Sequence, residues 1–259
     1  MSAVRARAAL PPAPILWAIG LAWAVTLVAQ ASGRSALLEH GHLIEGGLPV
    51  WAALGLFLLA WQAMIVAMML PSSLPLIALV RRAGAAQPHS TAAVAMFLLG
   101  YGVVWTAFGL VALGGDLGLH RLVHQWAWLA DRPSIIGGGV LLLAGAFQFS
   151  DLKERCLREC RHPAMYLMQH YRRGVLQAFR LGRGHGLYCL GCCWALMLVG
   201  FAAGVANLAW MVVLTLLMVF EKTGRGGDRL SAPIGFGLLG LGGVMFLDPA
   251  WLPPLLAAR

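Results

Sequence analysis

The five cysteines of this 259-residue chain all fall between Cys156 and Cys193, as Cys156-x3-Cys160 and Cys189-x2-Cys192-Cys193. On a helix, residues three or four apart share a face. Cys156 and Cys160 therefore pair on one face, and Cys189 faces the same way as Cys192 and Cys193. Grouped thiolates suit soft or borderline metals, and Cu(I) and Zn(II) are the first candidates. His162 and His185 flank the two groups as possible nitrogen donors. The spacing departs from zinc-ribbon patterns, so it does not name the metal. Two other readings stand beside metal binding: a redox or acylated thiol site, and small hydrophobes filling a core.

A second set of soft donors lies in the run Trp61-Gln62-Ala63-Met64-Ile65-Val66-Ala67-Met68-Met69-Leu70-Pro71. Met64 and Met68 are one helical turn apart, and a thioether is a Cu(I) ligand type. Methionine is also an ordinary gap-filler in apolar cores. Glu221-Lys222 follows Met218 at the end of an apolar run. Its carboxylate opposes a helix dipole there and calls for a partner, with Lys222 or a loop arginine the expected one. Glu39-His40-Gly41-His42 and the pair His120 and His124 are further potential ligands, although histidines in such loops are usually just solvated. No Ser-His-Asp or paired-carboxylate arrangement stands out, so hydrolase chemistry ranks low and an enzyme is not the expected class.

The elements that must position these residues are apolar helices. The chain is 60% hydrophobic and only 11% charged, with mean hydropathy +0.77. Soluble domains carry about 25% charged residues. Runs long enough to span a bilayer, about 17–25 residues, lie near 14–31, 49–70, 91–113, 134–150, 187–204, 207–221 and 231–247. The last-but-one pair divides a single apolar stretch, Leu187–Phe220. As one helix it would measure about 51 Å against a bilayer core of about 30 Å. A turn near Gly204-Val205-Ala206-Asn207 is expected to break it. The fold class is therefore all-α, a polytopic transmembrane bundle of about seven spans. It falls to six if Arg5, Arg7 and the small residues Ala29-Gln30-Ala31 mark a cleaved signal. The first apolar core exceeds the usual signal length of about 7–15 residues, which favours a retained helix. Pro71 and Pro75 are expected to break or kink the second span.

Net charge is +9, and every basic residue except Lys153 and Lys222 is arginine. With the N-terminus inside, fifteen of the basic residues fall on the cytoplasmic side, eight of them between Lys153 and Arg183. Only Arg34, Arg121, Arg132 and Arg259 fall opposite. Such a split orients a membrane protein and places the cysteines near a reducing compartment, where disulfides are rare. The segment 151–186 is the largest polar piece, with an interfacial or docking helix expected from Pro163 onward carrying Met168, Tyr171, Val175 and Phe179 on one face. No basic, aromatic-interleaved surface remains for nucleic acid. The partners are lipid and, for a metal carrier, a donor or acceptor protein. Gly235-Phe-Gly237-Leu-Leu-Gly240 matches a dinucleotide fingerprint by chance, because no strand precedes it; close helix packing explains such glycines better.

The stretch Gly186-Leu-Tyr-Cys189-Leu-Gly-Cys192-Cys193-Trp194-Ala-Leu-Met197, followed by Gly204, Asn207, Trp210-Met211 and Glu221-Lys222, resembles an uncharacterised bacterial family of predicted metal-binding integral membrane proteins. The runs Trp61…Met64…Met68-Met69…Pro71 and Cys156…Cys160-Arg161…Pro163 resemble the same family's other motifs, in order, over roughly positions 50–225. One departure is Val205-Ala206-Asn207, where a methionine is expected before the asparagine. The resemblance implies a metal-binding protein of the bacterial inner membrane without supplying a reaction. The combined expectation is a multi-pass protein whose soft-metal site draws on Cys156, Cys160, His185, Cys189, Cys192, Cys193, Met64 and Met68. It would handle or deliver a metal such as copper, with a thiol-redox or assembly factor, or a structural subunit, as the alternatives.

Overall fold

The computed structural model describes residues 12–32, 49–85, 90–130, 132–203 and 207–247. Glu39, His40 and His42 lie outside the described residues. All regular structure among the described residues is helical. The helices are α1 (Ala13–Ala31), α2 (Val50–Met68), α3 (Leu70–Gly84), α4 (Ser90–Gln125), α5 (Pro133–Phe147), α6 (Asp151–Arg161), α7 (Pro163–His170), α8 (Val175–Ala202), α9 (Leu208–Thr223) and α10 (Ser231–Leu247). A single turn at Ala127–Ala130 precedes α5 and a 3-10 turn at Gly227–Leu230 precedes α10.

Among the described residues, five helices are long and apolar enough to cross a membrane, namely α1, α2, Ser90–Val123 of α4, α8, and Gly227–Leu247, and the bent pair of α5 and α6 makes a sixth if it is one span. Seven spans were expected. Taken alone, α5 and α9 are shorter, with 15 and 16 residues. Local signals set their lengths. Asn207 caps α9 by accepting a hydrogen bond from the Trp210 N–H at 3.3 Å. Ser150 likewise starts α6, its hydroxyl accepting from the Lys153 N–H. The chain bends 67° between α5 and α6, and α6 is amphipathic, with Asp151 and Glu154 in its first turn and Arg158 and Arg161 in its last, complementing the helix dipole.

The apolar stretch 187–220 does divide, into α8 and α9. Gly200 lies against Leu214, and Cys189, midway along α8, lies against Lys222 at the end of α9, so the two helices run antiparallel. The polar segment 151–186 differs from the expected loop. It holds α6, α7 and the first three turns of α8. Gly174, at φ +114°, interrupts it in a conformation open to glycine, so Met168, Tyr171, Val175 and Phe179 do not share one helix. At 28 residues α8 is about 42 Å long, more than the roughly 30 Å of a hydrocarbon core.

Helix α8 is the centre of the bundle, and glycine lets it sit there. A Cβ on Gly182 would overlap the Phe97 carbonyl of α4, and one on Gly100 would overlap the Phe179 carbonyl of α8. The two backbones touch, as small residues permit in apolar bundles. Gly138 and Gly242 bring α5 and α10 together in the same way. Gly235 is also packed, against Phe149, but Gly237 and Gly240 face open space, so packing explains only part of that glycine run.

The break between α2 and α3 is the element that matters most for the site. Pro71 has no N–H, so the carbonyl four residues earlier, on Ala67, loses its helical donor. The indole N–H of Trp23 on α1 donates to it instead, at 3.1 Å. Ser72 satisfies the Met69 carbonyl at 2.8 Å. Met69 is the turn residue between the helices and is completely buried.

Candidate metal centre

The cysteines are all free and all buried. Three of them, Cys189, Cys192 and Cys193, stand on the buried face of α8. The Cys192 and Cys193 thiols both donate to the Cys189 carbonyl, at 3.1 and 2.8 Å, which holds each side chain back along the helix. From α6, Cys160 brings its sulfur to 3.9 Å from that of Cys192. One ion bound at about 2.3 Å by each sulfur reaches a pair up to roughly 4.6 Å apart, so this spacing lies within the span of a shared metal. From the α2–α3 break, the Met69 sulfur lies 3.7 Å from Cys193 Sγ. From α4, the Tyr101 hydroxyl lies 3.1 Å from Cys189 Sγ.

The seventh contributor is a cation. Lys222, at the end of α9, is only 3% exposed. Its ammonium lies 3.1 Å from Cys189 Sγ, 3.7 Å from Cys193 Sγ and 3.5 Å from Ser72 Oγ. The expected pairing with Glu221 does not occur, because consecutive helix residues point about 100° apart. Glu221 turns the other way and pairs with Lys153 of α6 at 2.8 Å, with both side chains 1% exposed. Ser231 donates to the second carboxylate oxygen at 2.6 Å. Arg161 reaches the backbone carbonyls of Glu221 and Gly224 rather than the carboxylate, capping the C-terminus of α9.

Cys156 and His185 border this cluster. Cys156 sits beside Gly191, on the flank of α8 next to Cys192, and burial pushes its thiol above the ordinary range, with Cys192 and Glu159 adding to the effect. His185 hydrogen-bonds Ser73 Oγ at 3.2 Å and is ringed by Phe97, Tyr101 and Tyr166. Its Nδ1 is buried without a hydrogen-bond partner. Met64 and Met68 are buried in the apolar core, and Met69, their neighbour, is the methionine whose sulfur meets a cysteine. His162 is exposed and turns back to the Arg158 carbonyl. His120 pairs with Asp116 of its own helix.

Among the described residues, no three His, Cys, Asp or Glu side chains form a group ready to hold an ion. Thiols with a thioether alongside are soft donors of the kind that suits Cu(I) and Zn(II).

No curated protein and no solved structure matches the chain. A family model described as PpoB2, copper chaperone, matches residues 58–245, which include every residue of the thiol cluster, and the chain belongs to that family.

Proposed function

We propose that this protein is a multi-pass protein of the bacterial inner membrane that takes up Cu(I) on the buried thiols of Cys160, Cys189, Cys192 and Cys193, with Met69 as an auxiliary donor, and passes it to an acceptor protein. Copper here is cargo. The observation that carries the reading is the convergence of sulfurs from α6, α8 and the α2–α3 break, at 3.7–3.9 Å between helices, around one buried ammonium. The copper chaperone family supports the choice of metal.

The chemistry follows from the donors. Thiolate is the form that binds metal, and each thiol that does so releases a proton. Lys222 supplies a fixed positive charge beside two of these sulfurs. One cuprous ion between two thiolates carries a net charge of minus one, and the ammonium cancels it, so the loaded centre can remain buried without excess charge. Soft ligands hold Cu(I) against harder divalent ions, and exchange between sulfurs moves it without any change of oxidation state.

The membrane orientation has the N-terminus, the start of α8 and the Lys222 end of α9 facing the cytoplasm. The unequal distribution of arginines supports it. Reporter fusions at Gly84 and Gly174 should both behave as cytosolic; periplasmic signals from both would reverse the orientation.

The test of function is elemental analysis of purified full-length protein after anaerobic reconstitution with Cu(I). Wild type should hold copper near stoichiometrically, and Cys192→Ser with Cys193→Ser should not. Absence of copper from both would end the metal reading and make thiol exchange, trapped as a mixed disulfide through Cys189, the leading one.

A further inference from the structure

Beside the thiol cluster, α6, α7 and the first turns of α8 line an open cavity of about 510 Å³. That volume lies within the range of about 300–1,000 Å³ used for small-molecule ligands. Its walls are of three kinds. Tyr166 and Tyr188 supply aromatic surface, set edge to face at 5.9 Å. Arg172 and Arg180 supply positive charge. The third is the free thiol of Cys156, which is 8% exposed.

Cys156 also joins the cavity to the cluster. Its sulfur packs over Gly191, where any side chain would collide with it. Cys192 follows Gly191 directly on α8, and Cys160 lies one turn from Cys156 on α6. Cys160 and Cys192 are the pair whose sulfurs lie 3.9 Å apart.

We infer that this cavity is the inlet of the copper site and receives a small anionic thiol carrying Cu(I), whose carboxylates are held by Arg172 and Arg180 while Cys156 takes the metal. The inference rests on the copper reading above. The size of the cavity favours a peptide-sized carrier over a folded protein, and guanidinium groups match carboxylates. The transfer is a ligand exchange. The Cu–S bond to the carrier breaks as one to Cys156 forms, copper stays cuprous, and the proton of the Cys156 thiol leaves with the carrier's thiolate. Exchange onto Cys160 and Cys192 then follows.

Two Cu(I) donors separate this from simple metal uptake: Cu(I)–glutathione, which is anionic, and Cu(I)–2-mercaptoethanol, whose thiol bears no carboxylate. Loading of full-length protein in zwitterionic nanodiscs is followed in rapid mixing. Arg172→Gln with Arg180→Gln should slow loading from glutathione by about tenfold, within the range that focused charge gives to association rates. Loading from 2-mercaptoethanol should change less than about twofold, with the final copper content unaltered. Cys156→Ser should slow loading from both donors. If the arginine variant slows both donors equally, or neither, the cavity is not a site for an anionic carrier. Calorimetry with metal-free glutathione separates the two claims. Weak, arginine-dependent binding supports the cavity even if no copper loads, which would sink the copper reading alone. Absence of such binding with normal copper content overturns the inlet and leaves the copper reading standing.

Discussion

The end of α9 carries two neighbouring charges that meet opposite fates. On one side Glu221 meets Lys153 and Ser231, so its carboxylate is met on both oxygens and the pair is closed. On the other side Lys222 meets Cys189, Cys193 and Ser72, an acceptor set made of two polarisable sulfurs and a hydroxyl. Both lysines are buried, yet the first is neutralised by a fixed partner and the second faces groups whose charge depends on whether they hold metal. A closed pair ties α6 to α9 and has nothing further to bind. An ammonium among thiols leaves a centre whose charge is completed by a cation. Buried charge therefore serves architecture on one face of α9 and, in our proposal, copper on the other.

The comparison breaks most visibly at Lys153. Lys153→Met leaves the Glu221 carboxylate buried without its partner, and removing one member of a buried pair costs about 3–5 kcal/mol. Denaturant unfolding in detergent should report that loss. Adding Glu221→Gln should recover part of it, whereas no recovery would mean that the pair is not what Lys153 contributes. Copper gives the next largest effect: ligand at 100 times Kd should stabilise wild type by about 2.7 kcal/mol. The Cys192→Ser, Cys193→Ser protein should show no such gain, and a gain in both would place the metal elsewhere.

Lys222→Met should reverse the pattern seen at Lys153. Its thiol neighbours can remain neutral, so stability should change by less than about 1.5 kcal/mol, while Cu(I) affinity should fall about tenfold, equivalent to about 1.4 kcal/mol. A loss of stability as large as that at Lys153, with copper affinity intact, would make Lys222 structural. The smallest expected effect separates the methionines. Met69→Leu should weaken Cu(I) binding, measured by competition with a chromophoric chelator, and Met64→Leu and Met68→Leu should not. All three swaps conserve volume and should cost less than about 1.5 kcal/mol in stability. Equal copper affinity across the three would remove Met69 from the site.

Composition and periodicity by themselves determined the class of this protein: apolar runs punctuated by Gly, Pro and Asn dictate an all-helical bundle, and clustered cysteines one turn apart dictate shared helix faces. These are local properties, settled by 3.6 residues per turn and by the hydrophobicity of each segment. The grouping of Cys189, Cys192 and Cys193 was legible for that reason, and so was the division at Asn207. One further signal was open to reading: the only two lysines among arginines, Lys153 and Lys222, are both buried in the interior. Tertiary structure alone decided the rest. Which face of α9 receives Glu221 and which Lys222, whether Met69 or Met64 reaches the thiols, and whether His185 meets cysteines or aromatic rings depend on how the helices are rotated against one another. Those rotations are set by glycine contacts such as Gly182 on Phe97 and by the carbonyl that Pro71 frees for Trp23. Such contacts join residues far apart in the chain, and no local pattern encodes them.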